Sequence, residues 1–259
     1  MLRTKFIFIT IFFLILLSNV QTGYAQDSSK TIDTLEITTI DEPHPEMITA
    51  SDIFNDYLEA IGGRTLFAGV KDRTTIMRGE MMGQKLSIVI KQKYPNKLRQ
   101  EFQSGAMKQT VIFDGTNAIM IIGEQTVDIE GSELSKLKTE AQMDFLLAPE
   151  TYGVTPELQG TEIIDSVECY KIVMNTEDGK SWLQFYSAET GLKVKEIKDV
   201  ETPQGTFRQE TVFSDYKEVD GLLFPFKIKQ SFGMQSIDMN ISSIKINTGL
   251  EDKLFEIPE

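Results

Sequence analysis

The run Lys85–Gly115, KLSIVIKQKYPNKLRQEFQSGAMKQTVIFDG, decides the fold. Leu86, Ile88 and Ile90 fall on every second residue, Leu98, Gln100 and Phe102 repeat that spacing, and Met107, Gln109, Val111 and Phe113 repeat it again. A side-chain period of two belongs to the β-strand, where successive residues face opposite sides of a sheet. Tyr94-Pro95-Asn96 and Asp114-Gly115 are turn sequences that fold such strands back on one another.

The same grammar continues on both sides. Alternating segments are expected at 73–82, 85–91, 96–103, 107–113, 117–122, 167–174, 181–186, 192–200, 206–216, 222–232 and 235–247, about ten or eleven antiparallel strands. Asp178-Gly179 and Asp220-Gly221 are hairpin-type dipeptides, and Thr190-Gly191 and Pro203-Gln204-Gly205 are further turns. One stretch breaks the rhythm. Ser132 to Leu146 opens on Ser132 as a candidate cap and carries Leu134, Leu137, Ala141 and Phe145 on one helical face, with Lys136, Lys138 and Glu140 turned away. An amphipathic helix inserted in a meander needs a surface to cover, and the concave face of the sheet supplies one.

Upstream, Thr49-Ala50-Ser51-Asp52 resembles a capping box. Ile53, Phe54, Tyr57, Leu58 and Ile61 follow at helical spacing, and Gly62-Gly63 stops the helix. Leu66, Phe67 and Val70 suggest a second short helical piece. Residues 26–48 are polar and acidic and contain Pro43-His44-Pro45, which suits a flexible tether, and the alternation at Leu35, Ile37 and Ile40 suggests an edge strand. Residues 1–25 read as a cleavable signal peptide: Arg3 and Lys5 come first, an apolar run over 6–17 follows, and Gly23-Tyr24-Ala25 closes it. The folded domain is expected over 49–259.

The chain of 259 residues is 41% hydrophobic and carries a formal charge of −13, with one Cys, one His and one Trp. Loss of Arg3 and Lys5 with the signal would take −13 to −15. These figures argue against a disulfide scaffold, a structural zinc module and a nucleic-acid binder. A lipid-attachment cysteine would stand at the cleavage point, whereas the single Cys169 lies far downstream and reads as a core filler.

Five strands interrupt their apolar face with glutamine: Leu98-Gln100-Phe102, Met107-Gln109-Val111, Trp182-Gln184-Tyr186, Phe207-Gln209-Thr211 and Ile228-Gln230-Phe232. An unpartnered amide in a dry core costs about 1–3 kcal/mol, so five of them mark a face that meets water or a ligand, unless they pair across strands or lie partly exposed. A barrel of this many strands encloses room for a guest. The expected ligand-binding lining is Leu86, Ile88, Ile90, Leu98, Gln100, Phe102, Gln109, Val111, Phe113, Trp182, Gln184, Tyr186, Phe224, Phe226 and Ile228, beneath a lid of Leu134, Leu137, Ala141 and Phe145. Met77, Met81, Met82, Met107, Met120, Met234 and Met239 add adaptable apolar surface.

Catalytic signatures are missing. His44 sits between two prolines, Ser135-x-x-Lys138 lacks its companion motifs, and Gly179-Lys180-Ser181 sits between strands as a hairpin. Glu189, Asp199 and Glu201 read as solvated surface charge. No catalytic residue, metal site or cofactor is expected.

Lys93-Tyr94-Pro95-Asn96-Lys97-Leu98-Arg99 with Val111-Ile112-Phe113-Asp114-Gly115 resembles the strand, turn, strand block of the LolA-like outer-membrane lipoprotein-sorting proteins. Ser214-Asp215-Tyr216-Lys217, Val219-Asp220-Gly221, Phe224-Pro225, the closing Leu254-Phe255-Glu256-Ile257-Pro258 and the opening Tyr57-Leu58-Glu59-Ala60-Ile61-Gly62-Gly63 are similar to segments of the same superfamily. The resemblance implies an incomplete antiparallel barrel, a helical lid, and an apolar cavity that shields acyl chains across the periplasm. Such carriers often place an arginine before the Pro-Asn turn to hand cargo onward; Tyr94 stands there in this chain. The expectation is a monomeric, non-enzymatic periplasmic carrier or binder of lipoproteins or other acylated ligands, with a membrane-bound donor or acceptor as its protein partner. The alternative is an envelope-stress sensor that uses the same fold.

Overall fold

The computed structural model describes residues 48–81, 83–177, 179–202, 205–233 and 235–258. The expected signal peptide, residues 26–47 of the tether with its edge strand and His44, the turn residues Asp178, Pro203 and Gln204, and Met82 and Met234 lie outside the described residues.

Helix α1 (Ala50–Ala60) begins in the expected capping box. The Asp52 amide donates to Thr49 Oγ1 at 3.2 Å, and the Thr49 amide donates to Asp52 Oδ2 at 2.8 Å. After the one-turn α2 (Arg64–Ala68), the chain enters β1 (Asp72–Met81), β2 (Gln84–Lys93), β3 (Lys97–Ser104), β4 (Met107–Phe113), β5 (Ala118–Ile122) and β6 (Gln125–Ile129). The inserted helix α3 (Gly131–Glu140) and two 3-10 turns, Phe145–Leu147 and Pro149–Tyr152, come next. The second run is β7 (Val154–Ile164), β8 (Val167–Thr176), β9 (Ser181–Ser187), β10 (Lys193–Thr202), β11 (Gly205–Val219), β12 (Leu222–Phe232) and β13 (Gln235–Ile246).

The 13 strands make one sheet in the order β6-β5-β4-β3-β2-β1-β13-β12-β11-β10-β9-β8-β7, antiparallel throughout. The first strand pairs with the last, so the sheet is an incomplete barrel whose two edges, β6 and β7, are consecutive in sequence and joined across the gap by α3 and the 3-10 turns. Register shifts at Ile76/Met77, Leu158/Thr161 and Lys193/Lys195 add the local bends that a curling sheet needs.

The two strands that the alternation rule leaves out are these edges. In β6, Gln125 to Asp128 are all exposed, so no apolar face exists to read; β7 contains Pro156 and Gly160, residues tolerated at an edge and at a bulge.

Two helices fill opposite halves of the hollow. Leu137 and Ala141, at the end of α3, pack into one apolar cluster with Leu86, Ile88, Leu98, Phe102, Val111 and Phe113 of β2–β4. Ile53, Phe54, Tyr57 and Leu58 of α1 pack with Ile172, Met174, Trp182 and Tyr186 of β8 and β9. Each such side chain contributes roughly 1.5–3 kcal/mol on burial. Docking of α1 also depends on Gly62, at φ +119°: a Cβ there would stand 2.2 Å from the Gly221 carbonyl oxygen, while the Leu223 amide donates to the Ile61 carbonyl at 2.8 Å. Cys169 is fully buried in a small third cluster with Phe185 and Ile197, as a core filler should be.

The inserted segment differs from expectation in three ways. Its N-cap is Glu130, with no side-chain capping bond, instead of Ser132. The helix stops at Glu140, and the chain then passes through a 3-10 turn that carries Phe145, whose ring centroid lies 6.5 Å from that of Trp182. Finally, Lys136 and Glu140 do not turn away. Lys136 is buried and pairs with Glu133 at 2.7 Å, and the Glu140 carboxylate faces inward.

Candidate ligand-binding site

Between the two helix-filled halves the sheet leaves a hollow of two chambers, about 360 Å³ and about 250 Å³. They share Arg73, Gln92, Glu196, Phe213, Phe224 and Pro225 as walls, so they adjoin. The larger lies under the lid: Thr139, Glu140, Gln142, Met143, Phe145 and Leu146 cover it, and Tyr57, Trp182, Gln184, Lys193 and Tyr216 form its far side. The smaller is walled by strand residues alone, among them Met77, Ile90, Gln100, Gln209, Ile228, Gln230, Met239, Ile241 and Ile244. Both volumes together fall in the range of small-molecule sites.

All five glutamines are buried: Gln100 at 0%, Gln109 at 2%, Gln184 at 4%, Gln209 at 3% and Gln230 at 2% exposure. Their partners differ. Gln184 sits in a complete network, its Nε2 donating to Glu196 Oε2 at 2.8 Å and its Oε1 accepting from the Tyr186 hydroxyl at 2.7 Å. Gln109 Nε2 meets the Met120 sulfur. Gln209 donates to Thr211 Oγ1 at 3.4 Å, but its Oε1 has no partner, nor has Gln230 Oε1, and Gln100 has no partner at either amide atom. The indole N–H of Trp182 is likewise buried and unpartnered. Gln100, Gln209 and Gln230 all face the smaller chamber.

One side of the hollow is charged. Glu196 receives Lys198 Nζ at 2.6 Å on Oε1 and Lys193 Nζ at 3.3 Å on Oε2. Burial opposes its ionisation, but the two ammonium groups and the hydrogen bonds from Lys198 and Gln184 outweigh it and hold the carboxyl at about 2. Glu140 has the reverse balance: burial, with the nearby negative charges of Glu196 and Glu133, pushes it well above the ordinary carboxyl value against the pull of Lys198 and Lys136, and neither of its oxygens has a partner. Arg73 donates from Nε to Gln92 Oε1 at 3.1 Å and from Nη2 to the same oxygen, and its guanidinium lies 5.8 Å from the Phe224 ring centroid.

Of the residues expected to line the site, Ile90, Gln100, Phe224 and Ile228 border the smaller chamber; Trp182, Gln184 and Phe224 border the larger, as does Phe145 of the lid. Leu86, Ile88, Leu98, Phe102, Val111, Phe113, Leu137 and Ala141 are packed against one another, with Phe226 and Leu134 half-buried beside them. Gln109 is buried within that filled half, and Tyr186 lies beneath α1, 5.6 Å from Phe54 between ring centroids. Gln92 was legible, because Ile88-Ile90-Gln92 has the same amide-dotted spacing as the five segments singled out. Glu196 and Lys198 were not, since opposite charges two apart on a strand look like a solvated face.

No family model and no curated protein matches the sequence. Solved structures do match the fold. A LolA superfamily protein from Nitrosomonas europaea aligns with a TM-score of 0.56 at 14% identity, over 82% of this chain and 99% of that one. A DUF1329 family protein from Desulfovibrio piger gives 0.54 at 13% identity, over 80% and 97%. A domain named for outer membrane lipoprotein sorting, from Vibrio parahaemolyticus, gives 0.51 at 10% identity, over 79% and 95%. At these identities the fold is what is shared.

Proposed function

Taking the LolA superfamily fold as premise, we propose that this chain is a periplasmic, non-enzymatic carrier or binder of an acylated ligand, of the lipoprotein-sorting type. The observation that carries the reading is the smaller chamber: a strand-walled hollow with an apolar wall of Met77, Ile90, Ile228, Met239, Ile241 and Ile244, in which three buried glutamines leave amide atoms without protein partners. A dry core penalises such groups, so the wall is suited to a molecule that slides along it. Burial of each methylene favours binding by about 0.8 kcal/mol, and a long chain in a wholly apolar slot would leave slowly. Amides moderate that grip and keep the cargo exchangeable. The lid over the larger chamber supplies the way in.

The test is native mass spectrometry of protein purified from the cell envelope, with lipid extraction, alongside uptake of a fluorescent fatty acid. A bound amphiphile and saturable uptake are expected. Protein that carries nothing and takes up nothing would overturn the reading.

A further inference from the structure

We propose that the hollow selects amphiphiles with an anionic head, a carboxylate or phosphate, which docks on Arg73 at the junction of the chambers while the chain lies in the smaller one. This inference rests on the carrier reading and names the ligand's chemistry.

Charge and position carry it. Around the junction stand three cationic side chains, Arg73, Lys193 and Lys198, and two acids, Glu196 and Glu140. Both lysines already converge on Glu196. Glu140 touches none of the cations, and its burial favours the neutral acid. Arg73 therefore has no carboxylate of its own among the described residues; beside it stand the neutral Gln92 oxygen, a ring face and the Tyr57 side chain, whose hydroxyl burial keeps protonated. Arginine keeps its proton where a lysine would lose it, and its planar fork matches a two-oxygen anion. A cationic centre in a chain of formal charge −13 is a local feature with a local use. Arg73 borders both chambers, so a head held there directs its tail along Met77, Ile228 and Met239 past the orphaned amide of Gln100.

The experiment compares palmitate and lysophosphatidic acid with palmityl alcohol and lysophosphatidylcholine, by displacement of a fluorescent fatty acid from the full chain. The anionic heads are expected to bind about 10- to 100-fold more tightly than the neutral or zwitterionic ones, and palmitate against lysophosphatidic acid ranks carboxylate against phosphate. In Arg73→Gln the advantage of palmitate over the alcohol should shrink to about twofold. If that variant does not fold, [1-13C]palmitate bound to the unaltered chain gives the same answer: its carboxyl should titrate well below that of the free acid. Equal affinity for acid and alcohol, an advantage that survives Arg73→Gln, or an unshifted carboxyl titration overturns the inference and leaves the carrier reading standing. Failure of every chain-bearing probe to bind overturns the carrier reading itself.

Discussion

Two neighbouring parts of one hollow treat buried polarity in opposite ways. The Glu196 carboxylate is fully partnered: two ammonium groups, the Gln184 amide and, one bond further, the Tyr186 hydroxyl. Around Gln100, Gln209 and Gln230 the amides are as deeply buried, yet oxygen after oxygen goes without a partner in the protein. Polar groups that neighbours complete are architecture; those the fold leaves incomplete are suited to something that comes and goes.

The sharpest way to break this contrast is to remove the matched acid. Glu196→Ala would leave two half-buried ammonium groups without their shared acid and should lower the unfolding free energy by about 1.5–3 kcal/mol, read from denaturant midpoints. The counterpart change, Gln100→Leu, should do the reverse and raise stability by about 1–3 kcal/mol, because it removes an amide with no partner at either atom. It should also slow release of a bound fluorescent fatty acid in stopped flow. A loss of stability there would mean that the amide is satisfied after all, and the distinction would fall.

The two carboxyls offer a smaller and pH-resolved comparison. Glu140 is raised above its ordinary value of 4.5, so the folded protein resists its ionisation: no stability is lost below that value, and the loss grows as pH climbs toward the folded value. Glu140→Gln should therefore stabilise the protein at pH 7, with the benefit shrinking as pH falls through about 4.5 in paired melts. Glu196 runs the other way. Its stabilisation is complete above 4.5 and drains away as pH drops toward about 2, so acid unfolding should start from its network and weaken in Glu196→Gln.

Period two and the turn dipeptides expose the strands because a central strand buries one face more than the other, as Leu86-Ile88 and Leu98-Gln100-Phe102 do. The edges β6 and β7 stay hidden, since a strand held by backbone pairing on one side needs no apolar face. The glutamines are legible for the same reason as the strands: they stand in register with residues that are plainly internal. Which lining residues face open space and which are plugged is not legible, because that depends on where α3 comes to rest against β2–β4, a long-range packing event. Arg73 and Glu196 illustrate the limit, being ordinary charged strand residues until the sheet curls around them.

The sheet pairs its first strand with its last at its middle and stays open where β6 and β7, its two edges, share no ladder. A bulky visitor that wedges those edges apart ruptures no interstrand bond; it only displaces the strap that bridges them. Widening of that gap would thus leave the β1–β13 pairing, at the middle of the sheet, intact.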